Sequence, residues 1–341
     1  MARRPRGKYI DPNNSQIVHV VTRCVRGAFL CGTDKGTKRS FEHRREWIQN
    51  RLVFLAGAFG IDCLTFSVMG NHVHIILRSR PEVVRDWSDR EVAERWVHLC
   101  PHRDGALPER EEIARLAKQR DQIAEIRRRL SDFSWWMRLL TQSIARRANK
   151  EDGCTGRFWE GRYKAQLLTD ETAILACAMY IDLNPIRAAM ADSLENSHYT
   201  GAKIRLETLK VNRSRRSSHP SKNVVSNPTK RLEKETRSSW LSPICLRRSP
   251  NWTGKAKSVG KVNQPPKGFL HMTEVDYLEL TDWTGRQTRS DKRGRIPNNI
   301  RPVLEGLEID GDRWLEINRL FRSLFRKGSG ISISLASTNA A

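Results

Sequence analysis

Within the stretch GNHVHIILRS, Gly70 to Ser79, His72 and His74 are separated by one apolar residue. In an extended strand, side chains two apart face the same way, so the two imidazoles stand side by side. Imidazole binds divalent metals, and two of them leave positions for a third ligand, a water or a phosphate oxygen. For a bare HxH the ordinary reading is a pair of hydrogen-bonded core or surface histidines. The apolar neighbours, the buried-looking strand and a strongly basic chain raise the metal reading above that baseline. A metal site aimed at phosphate needs a nucleophile. Tyr180 lies late in a helical segment, and Asn184 follows four residues on, so a phenol and an amide share one helical face. Pro185 works against a helical Asn184, and taken alone Tyr180 reads as an amphipathic core tyrosine. Tyr163 competes by residue type. In RFWEGRYKAQ it lies among Arg157, Trp159, Arg162 and Lys164, a mixture suited to backbone-phosphate contact and base stacking. With equal weight, Phe158 and Trp159 are core and the charges are merely solvated.

The chain as a whole points to a polyanionic partner. Its 341 residues carry 61 Lys and Arg against 38 Asp and Glu, a formal charge of +23, which fits nucleic acid or an acidic membrane surface. No apolar run approaches a bilayer span, and the basic N-terminus MARRPRGKYIDPNN lacks the apolar segment of a secretion signal. Nucleic acid therefore leads, with Arg3, Arg4 and Arg6 as further contacts. The seven scattered cysteines form no CxxC pair, which fits reduced thiols in a cytoplasm. His98-Leu99-Cys100-Pro101-His102 lacks a second ligand pair at zinc-finger spacing.

Elements must hold these residues in place. Ile17 to Arg23 and Ile61 to Met69 read as strands, and Gly70-Asn71 turns the latter into a third, HVHIILRS. Phe41 to Phe59 has helical spacing through Ile48, Leu52, Leu55 and Phe59. Asp89 to His98 and the charged stretch Arg110 to Asn149 are helical, while Gly156 to Leu168 reads as a strand or hairpin. Thr169 and Asp170 are N-cap candidates for a helix, ETAILACAMYIDLN, that runs to Pro185. Strands crossed by helices give an α+β sheet with helices on one face. Between Leu206 and Gly268 the acids are only Glu207, Glu233 and Glu235, and this basic stretch reads as a disordered linker.

GNHVHIIL resembles the histidine–hydrophobic–histidine motif of the HUH endonuclease superfamily. GRFWEGRYKAQLL followed by MYIDLNPIRAAM resembles the single-tyrosine insertion-sequence transposases, in particular their REP-associated branch. The resemblance spans about Tyr9 to Thr200. It implies a ferredoxin-like catalytic domain over 1–203. The charged helical insertion at about 81–131 departs from compact family members. Composition and helical rhythm, not the resemblance, give a linker (204–268), a helical accessory domain (269–328) and a disordered tail (329–341). The resemblance implies His72 and His74 as metal ligands for Mg²⁺ or Mn²⁺, with Asn184 completing the site, and Tyr180 as the nucleophile. A covalent 5′-phosphotyrosine would then cleave and rejoin single-stranded, hairpin-associated DNA in a bacterial cytoplasm. An unperturbed phenol ionises near pH ~10, so attack needs a metal or base, and the sequence names no base. A rolling-circle initiator or relaxase shares HUH and tyrosine but not the YIDLNPIR context. A domesticated, non-cleaving DNA-binding protein is the reading from another class. Monomer and homodimer stay open.

Overall fold

The computed structural model describes residues 10–25, 30–34, 36–100, 109–217, 240–246, 268–287 and 292–298. At its centre lie four strands, β1 (Ile17–Arg23), β2 (Ile61–Val68), β3 (His72–Ser79) and β4 (Lys164–Leu168). They form one antiparallel sheet in the order β2-β3-β1-β4. Helix α1 (His43–Ala58) links β1 to β2. Helices α2 (Pro81–Asp86), α3 (Asp89–Leu99), α4 (Arg110–Ala117), α5 (Arg120–Arg129) and α6 (Phe133–Glu151) link β3 to β4. After β4 come α7 (Glu171–Asp182), α8 (Asn184–Arg187), α9 (Gly201–Ser217) and α10 (Glu274–Arg286). None of the described helices is long and apolar enough to cross a membrane.

Period-two alternation decides what each face of the sheet buries. Val18 and Val20 of β1 and Val73, Ile75 and Leu77 of β3 point to one face. There they meet Ile48, Leu52 and Leu55 of α1 and Trp136, Met137, Leu140 and Ile144 of α6. Both crossover connections therefore lie on this face. The charged insertion is integral to it, because Val83, Val92, Ile123 and Ile126 join the same core. The helical stretch expected at 110–149, read as one helix or two, is three helices. Asp132 caps the last, its carboxylate accepting from the backbone N–H groups of Ser134 and Trp135.

The other face is covered as well, which corrects the expectation of helices on one side. Leu64, Ile76 and Leu168 of the sheet pack against Ala173, Ala176, Cys177 and Met179 of α7, with Leu206 of α9 and Tyr277 and Leu278 of α10 beyond. The physical reason is legible in α7. Nine of its residues are buried, so it is apolar around most of its circumference and must lie between two layers. Asp170 caps it, its carboxylate accepting from the N–H of Ala173 at 2.8 Å. Pro185 does not stop the chain from turning helically, since it occupies the first turn of α8, where its missing N–H costs nothing.

A buried carboxylate ties this second layer together. Asp182, at the end of α7, accepts from Thr65 of β2 at 2.8 Å, from the N–H of Ala202 at 3.0 Å and from the Tyr277 hydroxyl of α10 at 2.5 Å. The β2–β3 register shifts between Cys63 and Thr65, beside that contact. Gly201 is required beside it, because a Cβ there would lie 2.0 Å from the Thr65 hydroxyl oxygen.

Two domain expectations change. The linker from 204 onward begins inside α9, and Trp240, Leu241, Ser242 and Ile244 are buried. Arg205 holds that segment to β2, donating to the carbonyls of Leu64 and Ser242 at 2.6 and 2.7 Å. Likewise α10 packs on the core of the second face, and Arg187 of α8 donates to the carbonyls of Thr284 and Gln287. The packed unit built on the sheet therefore extends past 203 and takes in α10, with no separate accessory domain among the described residues. Positions 218–239 and 247–267, the expected accessory domain beyond 298 and the tail lie outside the described residues.

Candidate active site

The strand register lays out the second face row by row. From the open end, the first row pairs Arg23 with His72. The second runs Lys164, Val21, His74, Ser67, and the third Gln166, His19, Ile76, Thr65. His72 and His74 do share a face, and their rings sit 4.8 Å apart between centroids at 77°. Tyr180 of α7 presents its ring edge-on to His74 at 5.6 Å and 87°. The predicted nucleophile and the predicted ligands therefore meet within one chain. Asn184 follows Tyr180 by one turn, half-buried, and its Nδ2 is buried without a hydrogen-bond partner.

A third histidine belongs to the cluster. His19 is 1% exposed, and its Nε2 lies 2.9 Å from Nδ1 of His74. The two rings stack at 5.1 Å, and His19 also meets the Tyr180 ring at 6.4 Å. Burial pushes the His19 pKa down to about 3. The His72 pKa is down at about 4, first through burial and then through the positive charge of Arg23, so both rings are neutral at pH 7. Nδ1 of His72 is 2.6 Å from the side-chain oxygen of Asn71. That oxygen only accepts, so Nδ1 carries the proton and Nε2 carries the lone pair.

Sequence reasoning missed His19 and Arg23. A signal existed for His19: it interrupts the apolar alternation of IVHVVTR at the position that shares a face with His74. Arg23 needed the register, because only cross-strand pairing sets it opposite His72.

The remaining candidates divide. Tyr163 packs with the first face, and its hydroxyl lies 3.1 Å from Ser134 of α6, so it is on the wrong side of the sheet. Trp159 is corrected to a core residue. It is 8% exposed and its indole N–H donates to the carbonyl of Thr141 at 2.8 Å, which leaves no face for a base. Arg157, Arg162 and Lys164 are exposed. The loop carrying the first two runs along the end of β1, where Cys24 bridges to Trp159 and the N–H of Glu160 donates to the carbonyl of Arg23. Only Lys164–Leu168 of the expected strand is regular. Arg3, Arg4 and Arg6 lie outside the described residues.

A divalent metal here would have few protein ligands. Among the described residues no three His, Cys, Asp or Glu side chains cluster to hold an ion, so the protein would offer the imidazoles of His72 and His74 and the Asn184 amide. That is a weak, uncharged set with room for a phosphate oxygen and water, and imidazole suits Mn²⁺ better than it suits Mg²⁺.

No protein-family model matches the chain, and no curated protein matches it. Among solved structures it is similar to that of a REP-associated tyrosine transposase bound to a REP hairpin, at 12% identity over 67% of this chain and 94% of that one, with a TM-score of 0.34. A likeness at that level carries no function, which has to come from the side chains themselves.

Proposed function

We propose that the chain is a single-tyrosine DNA nuclease and strand transferase of the HUH type, built on a ferredoxin-like βαββαβ sheet, acting on single-stranded or hairpin DNA in the manner of a transposase. The observation that carries this reading is the edge-on contact of Tyr180 with His74, inside a histidine cluster and opposite Arg23 and Lys164. Tyr163, the rival nucleophile, is on the opposite face.

In this reading His72, His74 and Asn184 would hold Mn²⁺ or Mg²⁺, which when bound would supply Lewis-acid polarisation of the scissile phosphate. Arg23 and Lys164 draw that phosphate to the open end of the face, and Arg157 and Arg162 hold the flanking backbone. The Tyr180 hydroxyl loses its proton and its oxygen attacks phosphorus. The bond from phosphorus to the 3′ oxygen breaks, that oxygen takes up a proton, and the 5′ phosphate stays on Tyr180. Because the phosphotyrosine keeps a phosphodiester bond, a free 3′-hydroxyl reverses the step and rejoins a strand without ATP. The histidines that Tyr180 meets belong to its own chain, which favours action in cis. In this reading the protein works in the cytoplasm, on the cell's DNA.

The test is to incubate the protein with labelled single-stranded hairpin DNA and Mn²⁺. The reading requires a denaturation-resistant protein–DNA adduct that EDTA prevents. A mobility shift with no adduct on any hairpin from the DNA flanking the gene would replace it with a non-cleaving DNA-binding protein.

A further inference from the structure

We infer that His19 is a positioning residue that fixes the tautomer of His74, accepting a hydrogen bond from Nδ1–H of His74 so that Nε2 of His74 presents its lone pair to a metal. The inference rests on the metal-dependent reading above and adds a residue to it.

The Nε2 to Nδ1 separation of 2.9 Å between His19 and His74 requires one of the two nitrogens to donate. A neutral imidazole carries one N–H. If His19 donated, the proton of His74 would sit on Nε2 and that nitrogen could bind no cation. If His74 donates, Nε2 holds the lone pair. His72 is already arranged in that way by Asn71, whose oxygen can only accept. With His19 as acceptor both histidines of the pair present the same nitrogen, and a shared ion needs both. Second-shell acceptors of this kind orient histidine ligands and raise their basicity.

The cost of His19 argues in the same direction. It is 1% exposed between Val18 and Val20, in a strand whose other face is packed with aliphatic side chains. Gln166 stands opposite it on β4 and Ile76 opposite it on β3, on the same face. A valine would satisfy the fold there, and burying a polar ring costs free energy unless its hydrogen bond is used. One hydrogen bond it makes is to a residue of the predicted metal pair.

The experiment uses the full chain and Mn²⁺ as the probe. Nitrogen-15 shifts of the imidazoles in the metal-free wild type should show His74 protonated at Nδ1, and the Nε2–H form would overturn the inference. Mn²⁺ affinity, followed by electron paramagnetic resonance, should fall about 10- to 100-fold in His19→Phe. His19→Gln, whose amide oxygen can accept in place of Nε2, should stay within about threefold of wild type by the same argument. Equal Mn²⁺ affinity in wild type and His19→Phe would overturn the role of His19 and leave the metal site standing. A wild type that binds no Mn²⁺ would overturn the metal-dependent reading, and the inference with it.

Discussion

The two faces of the central sheet are built from the same four strands and serve opposite ends. Toward α1 and α6 the inward side chains of β1 and β3 are Val18, Val20, Val73, Ile75 and Leu77. Toward α7 the same strands present His19, Arg23, His72 and His74, with Lys164 and Gln166 from β4. A sheet buried on both sides needs only apolar residues to be stable. Apart from the buried Thr22 of β1, the first face is apolar along these strands, while the second carries polar groups that folding alone would replace. Its lower rows are returned to core by α7, α9 and α10, leaving the polar rows at the open end. On the proposed function, the difference teaches that stability and chemistry are separated here by strand alternation.

That separation can be broken or sharpened by mutation. His72→Ala should abolish adduct formation, a loss of about 10³-fold or more for an interaction used in the transition state. DNA affinity should stay within a few-fold, because phosphate contacts elsewhere supply it. Thermal denaturation should show the fold intact. Retained cleavage in His72→Ala would dissolve the comparison. On the opposite face, Ile75→Ala should do the reverse. It removes a fully buried side chain and should cost about 2–5 kcal/mol in urea unfolding, with adduct chemistry unchanged per folded molecule.

The second face should also be the acid-labile one. His72 and His19 have folded pKa values of about 4 and about 3, below the ordinary value near ~6.5. Between those limits the unfolded chain binds more protons, so stability rises with pH. The stabilisation is complete above pH ~6.5 and is lost as pH falls through ~4 and then ~3, at roughly 1.4 kcal/mol per pH unit per group before any relaxation. Urea titrations of the metal-free protein at a series of pH values should show this slope, and it should shrink in His19→Phe. A flat profile from pH 7 to 4 would contradict the burial of both rings. Arg23→Gln should have the smallest effect, an about tenfold slower adduct formation (about 1.4 kcal/mol) that Arg23→Lys partly restores. An unchanged rate would remove Arg23 from the phosphate site.

Strand alternation and helix periodicity carried most of this fold in the sequence. Ile17–Arg23 and His72–Ser79 match their predicted ranges, and α1 falls inside Phe41–Phe59. The His72–His74 shared face followed from period two alone. What the sequence could not carry was pairing. Arg23 faces His72 only through the β1–β3 register, and Tyr163 and Tyr180 are separated only once the sheet has two sides. Trp159 looked like a stacking surface because charge surrounds it, yet Arg157 and Arg162 point to solvent while the indole turns inward. The link between α7 and α10 was hidden for a similar reason. Asp182, Thr65 and Tyr277 are far apart in the chain, and nothing local marks Asp182 as a buried carboxylate.

The central claim is that Tyr180 attacks DNA phosphate from beside His74. Wild type, Tyr180→Phe and Tyr163→Phe should be incubated with the same labelled hairpin and Mn²⁺, and the covalent adduct quantified after denaturation. Loss of one oxygen at Tyr180 leaves the ring to pack, so the account predicts a folded protein that binds DNA and forms no adduct. Tyr163→Phe should form adduct at close to the wild-type level. Adduct persisting in Tyr180→Phe and vanishing in Tyr163→Phe would contradict the account.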